Sequence, residues 1–206
     1  YCPPDFLRMS MYLELSRPMG DVGRWEKVLK RLILLNKNYP LKGNNCRNKD
    51  FVRDYEDSKD VADDIYKVVR KSIINQGLIF FGGYAAGLYG KYMPKRERKQ
   101  LSNVPDFDVL SEDPETTSRM IKERLEEINI KKIKITKKPG IGEIIAPHYE
   151  VNIGPETVAF IYEPIACHSY NVINLGSFKM RVATLDTMLS FYLAFVYVNR
   201  PYYDPN

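Results

Sequence analysis

Two short features of this chain could do chemistry together. A glycine pair, Gly82-Gly83, follows the apolar run "LIFF", and an Asp-aromatic-Asp, Asp106-Phe107-Asp108, sits in "VPDFDVLS". In a strand, residues two apart share a face, so Asp106 and Asp108 project together while Phe107 turns to the core. Two carboxylates this close repel and raise each other's pKa unless a cation lies between them. Magnesium is the economical counterion, because it seeks oxygen and keeps positions for water and substrate phosphates. Two such ions bridged by one acidic cluster activate an attacking hydroxyl and stabilise a leaving pyrophosphate. Gly-Gly between a strand and a helix lets backbone approach a ligand closely and leaves helix-terminal N–H groups for phosphate. Each feature alone is mostly a turn or a solvated surface. In this order they bring a phosphate cradle and a metal site to one edge of one sheet.

The elements that must position them can be read from periodicity. Val61, Ile65, Val68, Val69 and Ile73 fall at helical spacing, with Gly77 as the expected C-terminal cap. "LIFF" is a short buried strand, and a helix resumes at the glycines. "DFDVLS" is a strand, followed by Asp113 as N-cap, Pro114 at the first helical position and an amphipathic helix to about Ile128. "KKIKITKK", "GEIIAPHYEVNI", a "GPE" turn and "TVAFIYEP" read as strands that include an antiparallel hairpin. "YNVINLGSFKMRVA" gives two more strands around Gly176, and Thr184 caps an apolar helix through Val198. The alternation predicts a mixed domain of the α+β class: a mixed sheet with helices over 61–206, preceded by a mostly helical or irregular segment over 1–60. Within that segment the pattern is irregular except for "RWEKVLKRLILLNK", a basic helix with Val28, Leu29, Leu32, Ile33 and Leu35 as its apolar stripe.

Bulk composition sets the limits. A chain of 206 residues with 44% apolar content buries one substantial core, and 28% charged residues argue against wholesale disorder. A net charge of +5 permits a polyanionic partner without demanding one. Cys2, Cys46 and Cys167 are few and widely spaced, as expected of reduced thiols in an intracellular protein, and Cys167 reads as buried. No apolar run is long enough to span a bilayer. The opening Tyr1 and the ending "PYYDPN" read as the bounds of a fragment, so the second domain is expected to be truncated at its C-terminus.

"FFGGYAAGLYGKY…VPDFDVLS" resembles the nucleotidyltransferase signature of the polymerase-beta superfamily. More narrowly, the chain is similar from about Val61 to Val198 to the poly(A) polymerase catalytic subunits of large DNA viruses, of the giant-virus (mimivirus-like) type. "EIIAPHYE", "VAFIYEPIACHSYN" and "LSFYLAF" carry that narrower likeness. The resemblance implies a nucleotidyltransferase-like fold and template-independent addition of AMP from ATP to an RNA 3′ end. It implies ATP as substrate, Mg2+ or Mn2+ as cofactor, Gly82 and Gly83 at the triphosphate, and Asp106 and Asp108 as metal ligands. An RNA 3′ end, ATP and a second copy of the chain are the implied partners, and the virion and host cytoplasm the implied location.

Three departures stay open. The superfamily places a third Asp on the downstream hairpin, where the nearest equivalent here is Phe160, which cannot bind metal. Glu150 and Glu163 are the alternatives. If "IGPE" is a tight turn, Glu150 faces Ala159 and shares its face with Glu163; Glu150 is preferred because it is mid-strand, on a polar face and opposite a small residue. Without any third carboxylate, the chain reads as a weakened relative that binds RNA or nucleotide as a scaffold. The segment after Gly83 is long and carries Lys91, Lys95, Arg96, Arg98 and Lys99, which either contact RNA or form a solvated loop. The acceptor is open as well, since a protein, an antibiotic or a second nucleotide fits the same superfamily. His148 and His168 lack ligand-spaced neighbours and read as ordinary hydrogen-bonded histidines. Tyr84, Tyr89, Tyr92, Tyr149 and Tyr170 are core or rim residues with the capacity to stack a base, and Arg24, Lys27, Lys30 and Arg31 offer one wall for RNA.

Overall fold

The computed structural model describes residues 1–15, 21–40, 59–90, 95, 106–142, 144–165 and 167–198. The chain divides into two compact units, Tyr1–Lys49 with Leu185–Asn206, and Asp50–Thr184. This corrects the boundary expected near residue 60. The apolar helix assigned to the sheet domain groups instead with the N-terminal segment.

The first unit holds α1 (Pro4–Leu15), α2 (Val22–Asn38) and α6 (Leu185–Val198), with α1 packed on both others. Sequence periodicity missed α1, because Phe6, Leu7, Met9, Met11, Tyr12 and Leu13 surround the helix rather than form a stripe. Pro4 occupies its first turn, where a missing N–H costs nothing. Asp21 caps α2 by accepting from the Gly23 amide at 2.9 Å. Arg8 is buried between the helices and satisfied there: its guanidinium donates to Asn36 Oδ1 at 2.9 Å, to Asp5 and to the Tyr39 carbonyl.

The second unit is a seven-stranded sheet with α3 (Lys59–Asn75), α4 (Gly82–Leu88) and α5 (Pro114–Glu127). Its strands are β1 (Ile79–Phe81), β2 (Phe107–Leu110), β3 (Ile133–Lys138), β4 (His148–Ile153), β5 (Glu156–Tyr162), β6 (Tyr170–Leu175) and β7 (Phe178–Ala183). Their order is β3-β4-β5-β2-β1-β7-β6. Pairing is parallel at β5/β2 and β1/β7 and antiparallel elsewhere, which makes the sheet mixed, as expected.

Helices α3 and α5 pack on each other and on the sheet face that receives Phe80 and Phe107. Ile65, Val69 and Ile73 of α3, Ile121 and Leu125 of α5, and Phe80, Phe107, Val109 and Ile161 form this core. The Gly77 cap is real: φ is +66°, and the Leu78 amide bonds back to the Ile73 carbonyl at 3.3 Å. Asp113 caps α5 by accepting from the Thr116 amide at 3.0 Å. The opposite sheet face carries Phe81, Asp108, Phe160 and Glu150.

Candidate functional site

The strand register sets out the site on that opposite face. Phe81 pairs with Asp108, Asp108 with Phe160, Phe160 with Glu150, and Glu150 with Thr136. Directly paired residues share a face, so these five side chains form one row across five strands. Phe107 points the other way, against Tyr66, Phe80 and Tyr84. Asp106, two residues before Asp108, lies near enough for its charge to act on Asp108.

The glycine bend and the acid are in direct contact. Gly82 has φ of +68°, a backbone state that side chains disfavour. A β-carbon there would overlap Asp108 Oδ2 and stand 2.6 Å from its Cγ. The Gly83 amide donates a hydrogen bond to the Asp108 carboxylate. The bend thus has a task that residue types alone did not reveal: it makes room for the acid and holds it. Burial, followed by the charge of Asp106, pushes the Asp108 carboxyl up to about 8, against the pull of the Gly83 amide. A carboxyl in that state gains from any cation that enters beside it.

The donor chemistry of Asp106 and Asp108 fits a hard divalent ion, because both supply carboxyl oxygens and the charge of Asp106 acts on Asp108. A third ligand does not join them: among the described residues, no group of three or more His, Cys, Asp or Glu is placed to hold a metal. The position on β5 beside Asp108 is Phe160, as its sequence place foretold.

Glu150 needs a correction of register. It faces Phe160, not Ala159, because an irregularity after Val151 lets Asn152 pair with Thr157 while Val151 pairs with Ala159. The extra residue is Val158, a β-bulge that turn counting cannot see. Glu150 therefore stands two inter-strand steps, about 10 Å, from Asp108, with an aromatic ring between. Its carboxylate lies 3.6 Å from Lys138 Nζ and 3.7 Å from His148 Nε2. Glu163 lies one residue beyond β5 and is exposed, out of phase with Phe160 and Tyr162, so it does not share the face of Glu150 as expected.

The remaining candidates are mostly structural. His148 is fully buried and stacks on Tyr162 with centroids 4.4 Å apart. Burial holds the His168 imidazole below its ordinary pKa. Tyr84 packs against Phe80, Phe107 and Tyr66, and burial raises its hydroxyl pKa. Tyr89 donates to the Ala183 carbonyl at 3.0 Å, and Tyr149 donates to Glu115 at 3.1 Å. Tyr170 is exposed with the Arg181 guanidinium over its ring. Cys167 is exposed, which corrects the expectation of a buried thiol. On α2, Arg24 pairs with Glu14 and Lys30 with Glu26. Tyr92, Lys91, Arg96, Arg98, Lys99 and Cys46 lie outside the described residues.

Sequence reasoning missed Lys138 as the partner of Glu150, and with it the other lysines of β3. The signal lies in "KKIKITKK", a strand pattern whose lysines fall on both of its faces. No helix among the described residues is long and apolar enough to cross a membrane.

Neither a protein-family model nor a curated protein sequence matches the chain. Among solved structures, it is similar to the Megavirus polyadenylate synthase, at a TM-score of 0.61 and 19% identity. The likeness covers 92% of this chain and 39% of that one, so the chain spans well under half the length of that synthase. At this identity the comparison speaks for architecture, and the seven-stranded mixed sheet with its helices is a nucleotidyltransferase-like fold of the kind found in that polyadenylate synthase.

Proposed function

We propose that the chain is the nucleotidyl-transfer part of a template-independent polynucleotide adenylyltransferase. ATP and an RNA 3′-hydroxyl give RNA longer by one AMP, with pyrophosphate as the leaving group. The observation that carries this reading is the contact between the Gly82-Gly83 bend and Asp108, which joins the phosphate-approach element to the acidic pair. The fold likeness to a viral polyadenylate synthase supports the choice of ATP and RNA over other acceptors.

In this reading Asp106 and Asp108 hold Mg2+ or Mn2+, and the Gly82-Gly83 bend beside them borders the ATP triphosphate. A divalent ion bound there supplies positive charge for the phosphates and acidity for the 3′-hydroxyl. The chain's own residues orient the reactants, which is where most of the rate in phosphoryl transfer arises. Glu150 is the third acid of the proposed site, acting at one strand's remove, so its share is smaller than that of Asp108.

A second reading is favoured by Phe160. An apolar ring in register with Asp108 leaves the acidic set incomplete, as in a subunit that binds nucleotide and RNA with weakened turnover. One experiment addresses both. Purified chain is incubated with labelled RNA primer, magnesium and each of ATP, CTP, GTP and UTP, beside a folded Asp108→Ala variant. Selective incorporation of AMP that the variant loses supports the transferase. A wild-type chain that binds ATP but extends nothing supports the weakened subunit.

A further inference from the structure

The sheet has two edge strands that differ sharply in charge. β3 and the turn before it carry Lys131, Lys132, Lys134, Lys137 and Lys138, whereas β6, Tyr170–Leu175, carries no charged residue. Lysines on an edge strand commonly discourage pairing with another chain. If that were their whole purpose here, β6 would need the same device, and it has none. Lys131, Lys134 and Lys137 are exposed and form no ion pair among the described residues. Lys137 lies instead over the Tyr149 ring, 5.5 Å from its centroid.

The register ties this edge to the candidate site. Thr136 pairs with Glu150, in the row that contains Phe160 and Asp108. Lys134 and Lys138 flank Thr136 at a spacing of two, so they share the face of Asp108. Three inter-strand steps, about 14 Å, separate the β3 row position from that of Asp108. Between them lies Phe160, part-exposed, which offers a ring to a base. The one acid on the way, Glu150, has its charge offset by Lys138 at 3.6 Å.

We infer that the β3 edge is the track that holds the phosphate backbone of single-stranded RNA a few nucleotides upstream of its 3′ end. This rests on the proposed RNA acceptor. Continuity with the nucleotide site on one face favours a nucleic acid over an acidic protein as occupant. Each lysine that neutralises a phosphate releases a counterion, so the track has a measurable salt signature.

The test is binding of a fluorescein-labelled oligoadenylate, by anisotropy across a salt series, to wild type and to the triple variant Lys131→Ser, Lys132→Ser, Lys134→Ser, which spares Lys137 because that residue lies over Tyr149 on the face under the helices. The three side chains are exposed, so the fold is expected to survive. Affinity should fall by roughly tenfold or more near physiological salt, and the log–log salt slope should become shallower by about 2. The corresponding triple arginine variant should restore both. Removing three charges from α2 instead (Lys27, Lys30 and Arg31 to Ser) should leave the slope near wild type. An unchanged slope in the β3 variant, a larger change in the α2 variant, or polyglutamate competing as well as unlabelled oligoadenylate each overturns the track. ATP-induced thermal stabilisation, measured in parallel, separates the two ideas. Wild type that takes up ATP but no RNA refutes the track alone. A lysine-dependent slope without any ATP effect upholds the track and refutes the nucleotide site.

Discussion

Strands β2 and β5 run parallel and side by side, yet they treat their two faces differently. On the face under the helices they are alike: Phe107 pairs with Ala159 and Val109 with Ile161, and all four are inaccessible. On the other face Asp108 stands beside Phe160. The difference lies in what each strand has next to it. β2 borders the bend after β1, where Gly82 lacks a side chain and the Gly83 amide bonds to the acid. β5 borders β4, whose Glu150 would add repulsion to any acid at position 160. A buried acid is accommodated where a backbone donor and space are provided, and an apolar ring takes the place where they are not. Core packing and site completeness are thus set on opposite faces of the same strands, and the first gives no guarantee of the second.

The strongest way to break the comparison is to remove the acid from β2. Asp108→Ala is expected to lower AMP addition to a primer by at least roughly a hundredfold while the fold survives, as read by far-UV circular dichroism. Gly82→Ala attacks the same contact from the other side. Left-handed backbone and overlap with Asp108 together should cost on the order of 3 kcal/mol, measurable by denaturant unfolding. Retained stability in Gly82→Ala would mean that the bend does not hold Asp108 as described.

The comparison is sharpened by making β5 resemble β2. Phe160→Asp puts a third carboxylate in register with Asp108. Without divalent ions it should lower the melting temperature, because a third acid joins two that already repel. With Mn2+ it should recover, and equilibrium binding should show more ions per chain than wild type. No gain in bound Mn2+ would show that register alone does not make a ligand.

How far the residues themselves foretold this arrangement depends on the range of the interaction. The Asp-x-Asp alternation, the strand–glycine–helix order, the Gly77 and Asp113 caps and the β6–β7 hairpin are local, and local periodicity states them. The bulge at Val158 is a property of how two strands agree, so counting from the turn at Gly154 misplaced Glu150 by one partner. Helix α1 was hidden because apolar residues encircle it. The grouping of α6 with the N-terminal helices rests on its packing against α1, from the far end of the sequence, which periodicity does not encode. Cys167 follows an apolar stretch and still emerges at the surface, in the connection between β5 and β6.

Protonation of Asp108 gives the comparison a pH axis. Asp108 has its folded pKa raised from 3.8 to about 8, so between those values the folded state holds a proton that the unfolded state has released. Stability is then greatest below about 4 and is lost as pH rises toward about 8. Asp108→Asn removes this dependence: its melting temperature should exceed that of wild type most clearly near pH 8 without divalent ions. Magnesium should reverse the order, stabilising wild type increasingly as pH rises and the variant hardly at all. A wild-type stability profile that rises through this range, or equal stabilisation of both proteins by magnesium, would contradict the state assigned to Asp108.

The smallest expected effect falls on Glu150, the acid one strand beyond the aromatic position. Glu150→Gln keeps the shape and removes the charge that faces Lys138 and His148. A part-buried pair of this kind is worth about 1 kcal/mol or less once solvent screening is counted, so unfolding should shift only slightly. Its effect on catalysis is the more telling measurement. If Glu150 acts at a distance, through the field it places behind Phe160, primer extension should fall by about tenfold or less, well short of Asp108→Ala. The same substitution in a Phe160→Asp background should matter less still, since the new carboxylate stands nearer to Asp108 and takes over the role. A loss as deep as that of Asp108→Ala would instead require the β4 side chain to cross Phe160 and reach the ion itself, making β4, not β5, the strand that completes the site.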